Sequence, residues 1–381
     1  MREVYINNIA AFFPNEAVSN DDIEKVLGMV DNKVSFVKRI VLKSNQIKSR
    51  YYAINLETNE TTHSNAQMTN EAIKKLINDG FDVSDVELLA CGTTTPDQLL
   101  PNHALMVHGE SDLKNMEVVS VAGICLSGLT ALKHAYLAVK SEEVDAAIST
   151  GSENVSASMR GRNFEPEVKA KVEMIKKNKE LTFEKDFLRW MLSDGAGAIG
   201  VSAKPNEDGI SLRIDKIFVR SYANEMETCM YSGCEKLSDG SVRGYREYLP
   251  QEWLEKSIFA IKQDVKLLNE NVLKYTVYKP LVEMLEKGMF KPQEIDWFLP
   301  HYSSGYFRDK VYDFMVEANC DIPQSKWFTN LSTKGNTGSA SIYIILEELF
   351  NSGKLKKGEK LLCYIPESGR FSTAFMLLEV V

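Results

Sequence analysis

Residues 118–141 read VVSVAGICLSGLTALKHAYLAVKS, and this stretch decides the fold. It predicts a buried strand, a turn of small residues at Gly123, and a long helix that begins near Cys125. A second stretch of the same design, TNLSTKGNTGSASIYIILEELFNSG, occupies residues 329–353. Each stretch is followed by a predicted strand, in VDAAISTGSEN and in KLLCYIPESG. We therefore expect one αβ unit to occur twice in the chain.

A constant offset of 209 residues (290 minus 81) supports this duplication. It aligns FDVSDVELLACG at 81–92 with FKPQEIDWFLPH at 290–301, and EAIKKLINDGF at 71–81 with PLVEMLEKGMF at 280–290. In each half, a helix with apolar spacing is predicted to end near a glycine and to lead into a buried strand. The pattern indicates an α/β fold.

The repeat divides the chain into a first half, 1–209, and a second half, 210–381. The first half carries an additional segment, 154–192. This segment contains nine Lys and Arg residues and six Asp and Glu residues, so its net charge is +3. One interpretation of this segment is a solvated, partly helical excursion. The other is a lid or a docking face for an acidic partner.

Composition places the chain among ordinary globular proteins. Of its 381 residues, 44% are hydrophobic and 26% charged, and the net charge is −8. This acidic balance argues against binding to nucleic acid or to a membrane surface. No apolar run approaches the ~18 residues of a membrane span, and the N-terminus lacks the apolar core of a signal peptide. We expect a cytoplasmic protein whose six cysteines remain thiols and bind no metal.

Cys125 is the candidate nucleophile. It lies in the small-residue turn GICLSG at the predicted start of a helix, where the positive end of the helix dipole lowers the pKa of a thiol. Its small neighbours would let a substrate carbonyl reach the sulfur, as in the strand-turn-helix elbows that carry other nucleophiles. The competing interpretation is a buried structural cysteine.

Two polar residues of the second half are expected near Cys125, because open α/β sheets gather their functional groups at strand ends. His301 follows a buried strand and could donate a hydrogen bond to a thioester oxygen or take the thiol proton. Asn336, in KGNTGS, could donate its amide N–H to the same oxygen. Two neutral donors of this kind stabilise the enolate of a thioester.

With these motifs the chain resembles the thiolase superfamily and, within it, the β-ketoacyl-acyl carrier protein synthase III family. The similar pieces are TTTPDQLLPNHA (93–104), STGSEN (149–154), SDGAGA (193–198) and GNTGSAS (335–341). The resemblance maps the family's catalytic Cys, His and Asn onto Cys125, His301 and Asn336. It also implies a thiolase-type duplicated αβαβα five-layered fold and a homodimer.

The chemistry that the resemblance implies has two stages and uses no bound cofactor. An acyl group moves to Cys125 from a thioester of coenzyme A or of the phosphopantetheine of an acyl carrier protein. A second thioester, enolised by decarboxylation or by deprotonation, then attacks the acyl group and forms a carbon–carbon bond. By the same resemblance, Leu99 and Leu100 would reach into the acyl tunnel of the other subunit.

Two departures from the family pattern concern the substrate. The family's glycine-rich turn near the C-terminus is replaced by PESGRF, which contains Ser368 and Gly369. Ser304 stands three residues after the histidine, where the fatty-acid enzymes often carry Asn. We expect these three residues to bind substrate. The two loops resemble those of ketosynthases that join two β-ketoacyl units into dialkylresorcinol or cyclohexanedione precursors of bacterial secondary metabolites.

Ring-forming condensation would need a base beyond the triad, and Glu153 is the candidate, with a structural carboxylate as the other interpretation. Two further enzymes stay open, a fatty-acid-type 3-oxoacyl-acyl carrier protein synthase III and a hydroxymethylglutaryl-CoA synthase-like enzyme. A dinucleotide site is not expected at GAGAIG, 195–200, since this run is predicted to be a strand followed by a loop rather than by a helix.

Overall fold

The computed structural model describes residues 2–30, 35, 37–165 and 188–381. Within these ranges, the core is a nine-stranded mixed sheet with the spatial order β7-β8-β9-β6-β1-β5-β4-β2-β3. Its strands in chain order are β1 (Tyr5–Phe12), β2 (Val86–Thr93), β3 (Glu117–Ala122), β4 (Ala146–Glu153), β5 (Gly195–Ser202), β6 (Leu212–Ser221), β7 (Trp297–Pro300), β8 (Lys360–Glu367) and β9 (Ser372–Val380).

Two sets of strands with the same order make up this sheet. In the first set, β2 is parallel to β3 and β4, and β5 is antiparallel to β4 and β1. In the second set, β7 is parallel to β8, and β9 is antiparallel to β8 and β6. In the second set, a parallel β-bridge between Phe298 and Trp327 occupies the position that β3 has in the first set. The repeated order confirms the duplicated α/β fold expected from the sequence.

A short pairing of β1 with β6, which begins with Tyr5 opposite Arg213, joins the two sets. The division that the sequence predicts, between residues 209 and 210, falls in the loop between β5 and β6. It stays a prediction.

Helices form three layers around the two sets of strands. The longer ones are Asn65–Asn78, His103–Glu110, Leu126–Lys140, Val265–Leu273 with its continuation through the π-helical turn Lys274–Tyr278 into Lys279–Glu286, Arg308–Glu317 and Ser341–Phe350. The first two pack on the outer face of the first set. The third and the last lie between the sets, and the others pack on the outer face of the second set. The result is the five-layered αβαβα arrangement.

Shorter elements connect these layers. The short strands are Val18–Ser19, Ser49–Arg50, Met230–Tyr231, Cys234–Lys236, Val242–Gly244 and Lys262–Gln263. The short helices are Ile23–Leu27, Lys38–Asn45, Ser156–Met159, Pro250–Glu255 and Leu331–Lys334. No helix in the described part of the chain has the length and apolar character needed to cross a bilayer.

The local sequence explains where the helices begin. The Ser64 hydroxyl accepts the Gln67 N–H, and the Gln67 side chain accepts the Ser64 N–H, so a complete capping box starts the helix Asn65–Asn78. Asn102 caps the next helix through the backbone of Leu105. The run GAGAIG lies in β5, as predicted, and no helix follows it directly.

The charged segment 154–192 is described at its two ends alone. Residues 166–187 lie outside the described residues, and the interpretation of the segment as a lid or docking face falls on them.

Candidate active site

Cys125 lies where the sequence places it, in a short turn between β3 and a helix. It is the N-cap residue of Leu126–Lys140, two residues after Gly123. Its side chain is half-buried. Four other cysteines are fully buried, and Cys234 is also half-buried. A thiol with partial access at the start of a helix is suited to attack a bound carbonyl.

The expected lowering of the Cys125 pKa is wrong for the free protein. Burial raises the pKa of this thiol, and the negative charges of Glu153 and Glu367 raise it further. A backbone hydrogen bond at the helix start lowers the pKa by less than these effects raise it. Cys125 is therefore a thiol at neutral pH, and its reaction needs a group that accepts the proton.

His301 directly follows β7 and is only 3% exposed. Its backbone N–H donates to the carbonyl oxygen of Tyr364 in β8 at 2.8 Å, which holds the start of the loop against the sheet. Burial lowers the pKa of the imidazole to about 4. At neutral pH the ring is uncharged and offers one N–H donor and one acceptor nitrogen.

The turn around Asn336 is held by backbone contacts on both sides. The Asn336 N–H donates to Met191 O at 3.0 Å, and the Ser193 N–H donates to Asn336 O at 2.8 Å. In the side chain, Oδ1 accepts the Gly338 N–H at 3.0 Å. This bond orients the amide so that Nδ2 is the group left to donate to a ligand.

Contacts between the two halves bring these turns to one region. His301, Gly335 and Thr337 line one pocket. The Cys125 helix reaches the same turn, because a Cβ on Gly128 would lie 2.2 Å from Ser339 O. The pocket is lined by residues of the second half, and Gly128 and Ser339 bring the helix of Cys125 against the turn that follows Asn336.

Glu153 ends β4 and is 1% exposed. Its Oε1 accepts the Thr94 N–H at 3.2 Å, the Thr94 hydroxyl, and the Ser339 N–H at 3.0 Å. Its Oε2 accepts the Thr95 hydroxyl at 2.9 Å. Burial raises the pKa of Glu153, while these donors act in the opposite direction. A carboxylate with so many donors favours the structural interpretation, and the role of Glu153 as a base stays a prediction.

Sequence reasoning missed a second glutamate, Glu367. It ends β8 as Glu153 ends β4, and both strands follow a central helix. Glu367 is half-buried, and its Oε1 accepts the Gly369 N–H at 2.6 Å. Burial raises its pKa, and its charge acts on Cys125. The signal was present in the repeat itself, since STGSEN and YIPESG place a glutamate at the same point of the two units.

The three residues expected to bind substrate occupy two loops. The Ser304 hydroxyl accepts the Tyr306 N–H at 3.3 Å and so caps the turn Gly305–Phe307. The hydroxyl of Ser368 contacts Met230 Sδ at 3.5 Å, and Gly369 O accepts the Cys229 N–H at 2.7 Å. Both loops follow β7 or β8 directly, and substrate contact by Ser304, Ser368 and Gly369 stays a prediction.

Leu99 and Leu100 lie on the surface, with 67% and 86% of their area exposed. Two adjacent leucines with this exposure are suited to contact with another chain. The expected homodimer and the expected place of these residues in the other subunit's tunnel stay predictions.

Two protein-family models match parts of this chain. The model of the thiolase N-terminal domain matches residues 50–201, and the model of the 3-oxoacyl-[acyl-carrier-protein] synthase III C-terminal domain matches residues 285–370. A β-ketoacyl-[acyl-carrier-protein] synthase III of Clostridium perfringens is 25% identical over 366 residues, which is 95% of each chain. The corresponding synthase of Aquifex aeolicus is 22% identical over 351 residues, 92% of this chain and 91% of that protein.

Solved structures share the fold over its full length. AbyA1, a tetronic acid condensing enzyme, superposes with a TM-score of 0.76 at 17% identity and covers 99% of both chains. Xanthomonas campestris OleA, solved with bound lauric acid and lauroyl-CoA, superposes with a TM-score of 0.71 at 18% identity over 99% of both chains. At these identities the structures establish the thiolase-type fold.

Proposed function

Since the chain belongs to the thiolase superfamily and is a β-ketoacyl synthase III-like acyltransferase, we propose that it forms carbon–carbon bonds by Claisen condensation through an acyl intermediate on Cys125. In the first stage, the thiol attacks a thioester and the acyl group is transferred to sulfur. The C–S bond of the donor breaks, and the carrier leaves as its thiol with the proton that Cys125 gives up. In the second stage, the enolate of another thioester attacks the acyl group. Cys125 then leaves as the free thiol.

The half-buried Cys125 at the start of a central helix, which packs through Gly128 against Ser339 in the turn after Asn336, is the observation that supports this proposal. His301 is uncharged at neutral pH because burial lowers the pKa of its imidazole to about 4. Asn336 carries no titratable proton, and its amide is oriented by the Gly338 N–H. Neutral donors can bind the oxyanion that forms during acylation, and in the second stage they can bind the enolate oxygen without protonating the carbon that must attack.

We assign the substrates to secondary metabolism, with two β-ketoacyl units joined into a dialkylresorcinol or cyclohexanedione precursor. The support is the PESGRF loop, in which Glu367 and Gly369 form a hydrogen-bonded turn in place of a glycine-rich one. The fatty-acid-type 3-oxoacyl-acyl carrier protein synthase III fits the comparisons equally well. A hydroxymethylglutaryl-CoA synthase-like enzyme is the remaining alternative.

The partners follow from this chemistry. The acyl groups arrive as thioesters of coenzyme A or of an acyl carrier protein, and the protein itself needs no resident cofactor. Two copies of the chain form a dimer in which Leu99 and Leu100 of each copy reach the acyl site of the other. We place the reaction in the cytoplasm, where both kinds of thioester are made.

Intact-protein mass spectrometry after incubation with acyl-CoA and acyl-carrier thioesters tests the proposal. We expect an adduct with the mass of the acyl group in the wild-type protein and in Cys234→Ala, which removes the other half-buried thiol. Cys125→Ala should form none. Absence of an adduct with both sets of donors, or retention of the adduct in Cys125→Ala, would exclude this mechanism. The masses of products released from β-ketoacyl donors then distinguish chain extension from ring formation.

A further inference from the structure

We propose that Glu367 is the base that takes the α-proton from the second thioester and returns it to Cys125. This inference rests on the proposed function, because it concerns the condensation stage of the same site. It assigns that stage to direct deprotonation of the donor rather than to decarboxylation.

The sheet places Glu367 beside the site. Strand β8 is the parallel neighbour of β7, with Pro300 opposite Tyr364, and the next residue after Pro300 is His301. Glu367 is the last residue of β8. The carboxyl ends of two adjacent parallel strands therefore carry His301 and Glu367 to the same edge of the sheet.

Gly369 lies between Glu367 and the nucleophile turn. A Cβ on Gly369 would lie 2.2 Å from Glu367 Oε1 and 3.0 Å from Ile124 Cδ1. Ile124 directly precedes Cys125. The Glu367 carboxylate and the Cys125 thiol are also close enough for the charge of one to act on the ionisation of the other. Glu367 therefore lies near the turn that carries the nucleophile.

Glu367 differs from Glu153 in the features that a base needs. Glu153 is almost fully buried and accepts hydrogen bonds from three residues of other segments, Thr94, Thr95 and Ser339. Glu367 is half-buried, and its donors come from its own turn and the adjacent strand start, at Gly369, Arg370 and Ser372.

The charge environment of Glu367 also suits proton transfer. In the described part of the chain, no cationic side chain pairs with this carboxylate. Burial raises its pKa, which brings the carboxylate closer to the neutral range in which a base both takes and returns a proton. A carboxylate held by an arginine or lysine would be a weaker base.

The proposed step balances as follows. The carboxylate of Glu367 takes a proton from the α-carbon of the donor thioester, and the electron pair of that C–H bond forms the enolate. The α-carbon attacks the carbonyl of acyl-Cys125, a carbon–carbon bond forms, and the C–S bond to Cys125 breaks. The departing thiolate takes the proton from Glu367, which restores both the thiol and the carboxylate.

This sequence explains why a negative charge stands beside a nucleophilic cysteine. While Glu367 is ionised, it disfavours the Cys125 thiolate. After Glu367 has taken the α-proton it is neutral, so this opposition is absent at the moment when the thiolate leaves. In the resting protein Cys125 therefore stays protonated, and Glu367 loses its negative charge at the step in which the Cys125 thiolate forms.

Hydrogen–deuterium exchange at the α-carbon of octanoyl-CoA in D2O tests the proposal, because these protons exchange slowly without a base. We expect exchange by the wild-type protein and by Glu143→Gln, a change at an exposed residue. Glu367→Gln should lower the exchange rate by about 100-fold or more while acylation of Cys125 continues. Glu367→Asp, which keeps a carboxylate, should restore part of the exchange.

Three further measurements separate the possible failures. Exchange is also measured in Cys125→Ala, since deprotonation does not need the thiol. If the wild-type protein forms no acyl adduct but still exchanges the α-protons, the proposed function fails and the role of Glu367 does not. Three results would overturn the role of Glu367. These are exchange at the wild-type rate in Glu367→Gln, loss of exchange in Glu153→Gln instead, and absence of exchange in the wild-type protein. With malonyl-CoA as the donor, which forms its enolate by decarboxylation, Glu367→Gln should lose far less activity than with octanoyl-CoA, and an equal loss would also overturn the role.

Discussion

Gly128 and Ser339 are in direct contact between the two sets of strands. A Cβ on Gly128 would lie 2.2 Å from the carbonyl oxygen of Ser339. Beside this contact, the Tyr343 hydroxyl donates to Gly128 O at 2.9 Å. The helix that begins at Cys125 is therefore held against the segment that follows Asn336. Close approach of two backbones, rather than a left-handed conformation, is what requires glycine at position 128.

This contact predicts that Gly128→Ala destabilises the protein. The added methyl group must displace a backbone carbonyl, which costs about 1–3 kcal/mol of the free energy of unfolding in a packed core. Acylation of Cys125 should also slow, since the helix start moves with its helix. Denaturant unfolding and intact-protein mass spectrometry measure the two effects.

Gly109→Ala is the matched control, because no atom lies within 4 Å of a Cβ at this helical position. It should leave stability unchanged or raise it by about 1 kcal/mol, the difference in helix propensity between Ala and Gly. Equal stabilities of the two variants would contradict the close packing of Gly128.

Cys125 should react slowly with iodoacetamide at neutral pH. Because its pKa is raised, the thiol loses its proton only as the pH rises well above the usual range of a cysteine, and the alkylation rate should still be increasing above about pH 9. Glu367→Gln removes one of the charges that raise this pKa, so the rate at pH 7 should increase. Glu367→Asp should not change it, and a rate that is already constant below pH 7 would contradict the raised pKa.

His301 should remain neutral over the whole working range. Since burial lowers the pKa of its imidazole to about 4, the ring becomes charged only as the pH falls through that value. An NMR titration, with the signal assigned from His301→Gln, should show no change for this ring between pH 6 and pH 8. A midpoint near the ordinary histidine pKa would mean that the ring is hydrated.

Asn336→Ala and Asn336→Asp should lower the condensation rate by about 10²–10³, the usual loss when one donor to a developing oxyanion is removed. Asp has the shape of Asn but a negative charge and no N–H, so it tests donation separately from packing. Acyl-enzyme formation should be affected less than condensation. Equal rates of condensation in the wild-type protein and Asn336→Asp would exclude a role for the amide N–H.

Glu153→Gln should destabilise the protein by about 1–3 kcal/mol. The substitution places an NH2 group among donors from Thr94, Thr95 and Ser339, so at least one buried donor loses its acceptor. The exposed Glu143→Gln is the control for unfolding. A different result would show that Glu153 acts as a base. In that case Glu153→Gln keeps full stability and still acylates Cys125, but the first condensation product accumulates.

Much of the site was predictable from local patterns. The strand, turn and helix around Cys125 follow from an apolar run, a turn of small residues and a periodic helix, and each of these signals lies within about 25 neighbouring residues. The strand before His301 was recognised in the same way. The position of Glu367 was present in the repeat but was passed over, because a glutamate after a strand resembles an ordinary surface residue.

By itself, the sequence determined the duplicated α/β fold and the turns that hold Cys125, His301 and Asn336, because helix and strand periods and turn chemistry act over short stretches of chain. Only the tertiary structure decided the ionisation of these residues. The helix start alone would lower the pKa of Cys125, yet burial and the carboxylates of Glu153 and Glu367 raise it. Desolvation and Coulomb interactions depend on which distant segments meet, and that is decided when the two halves pack together.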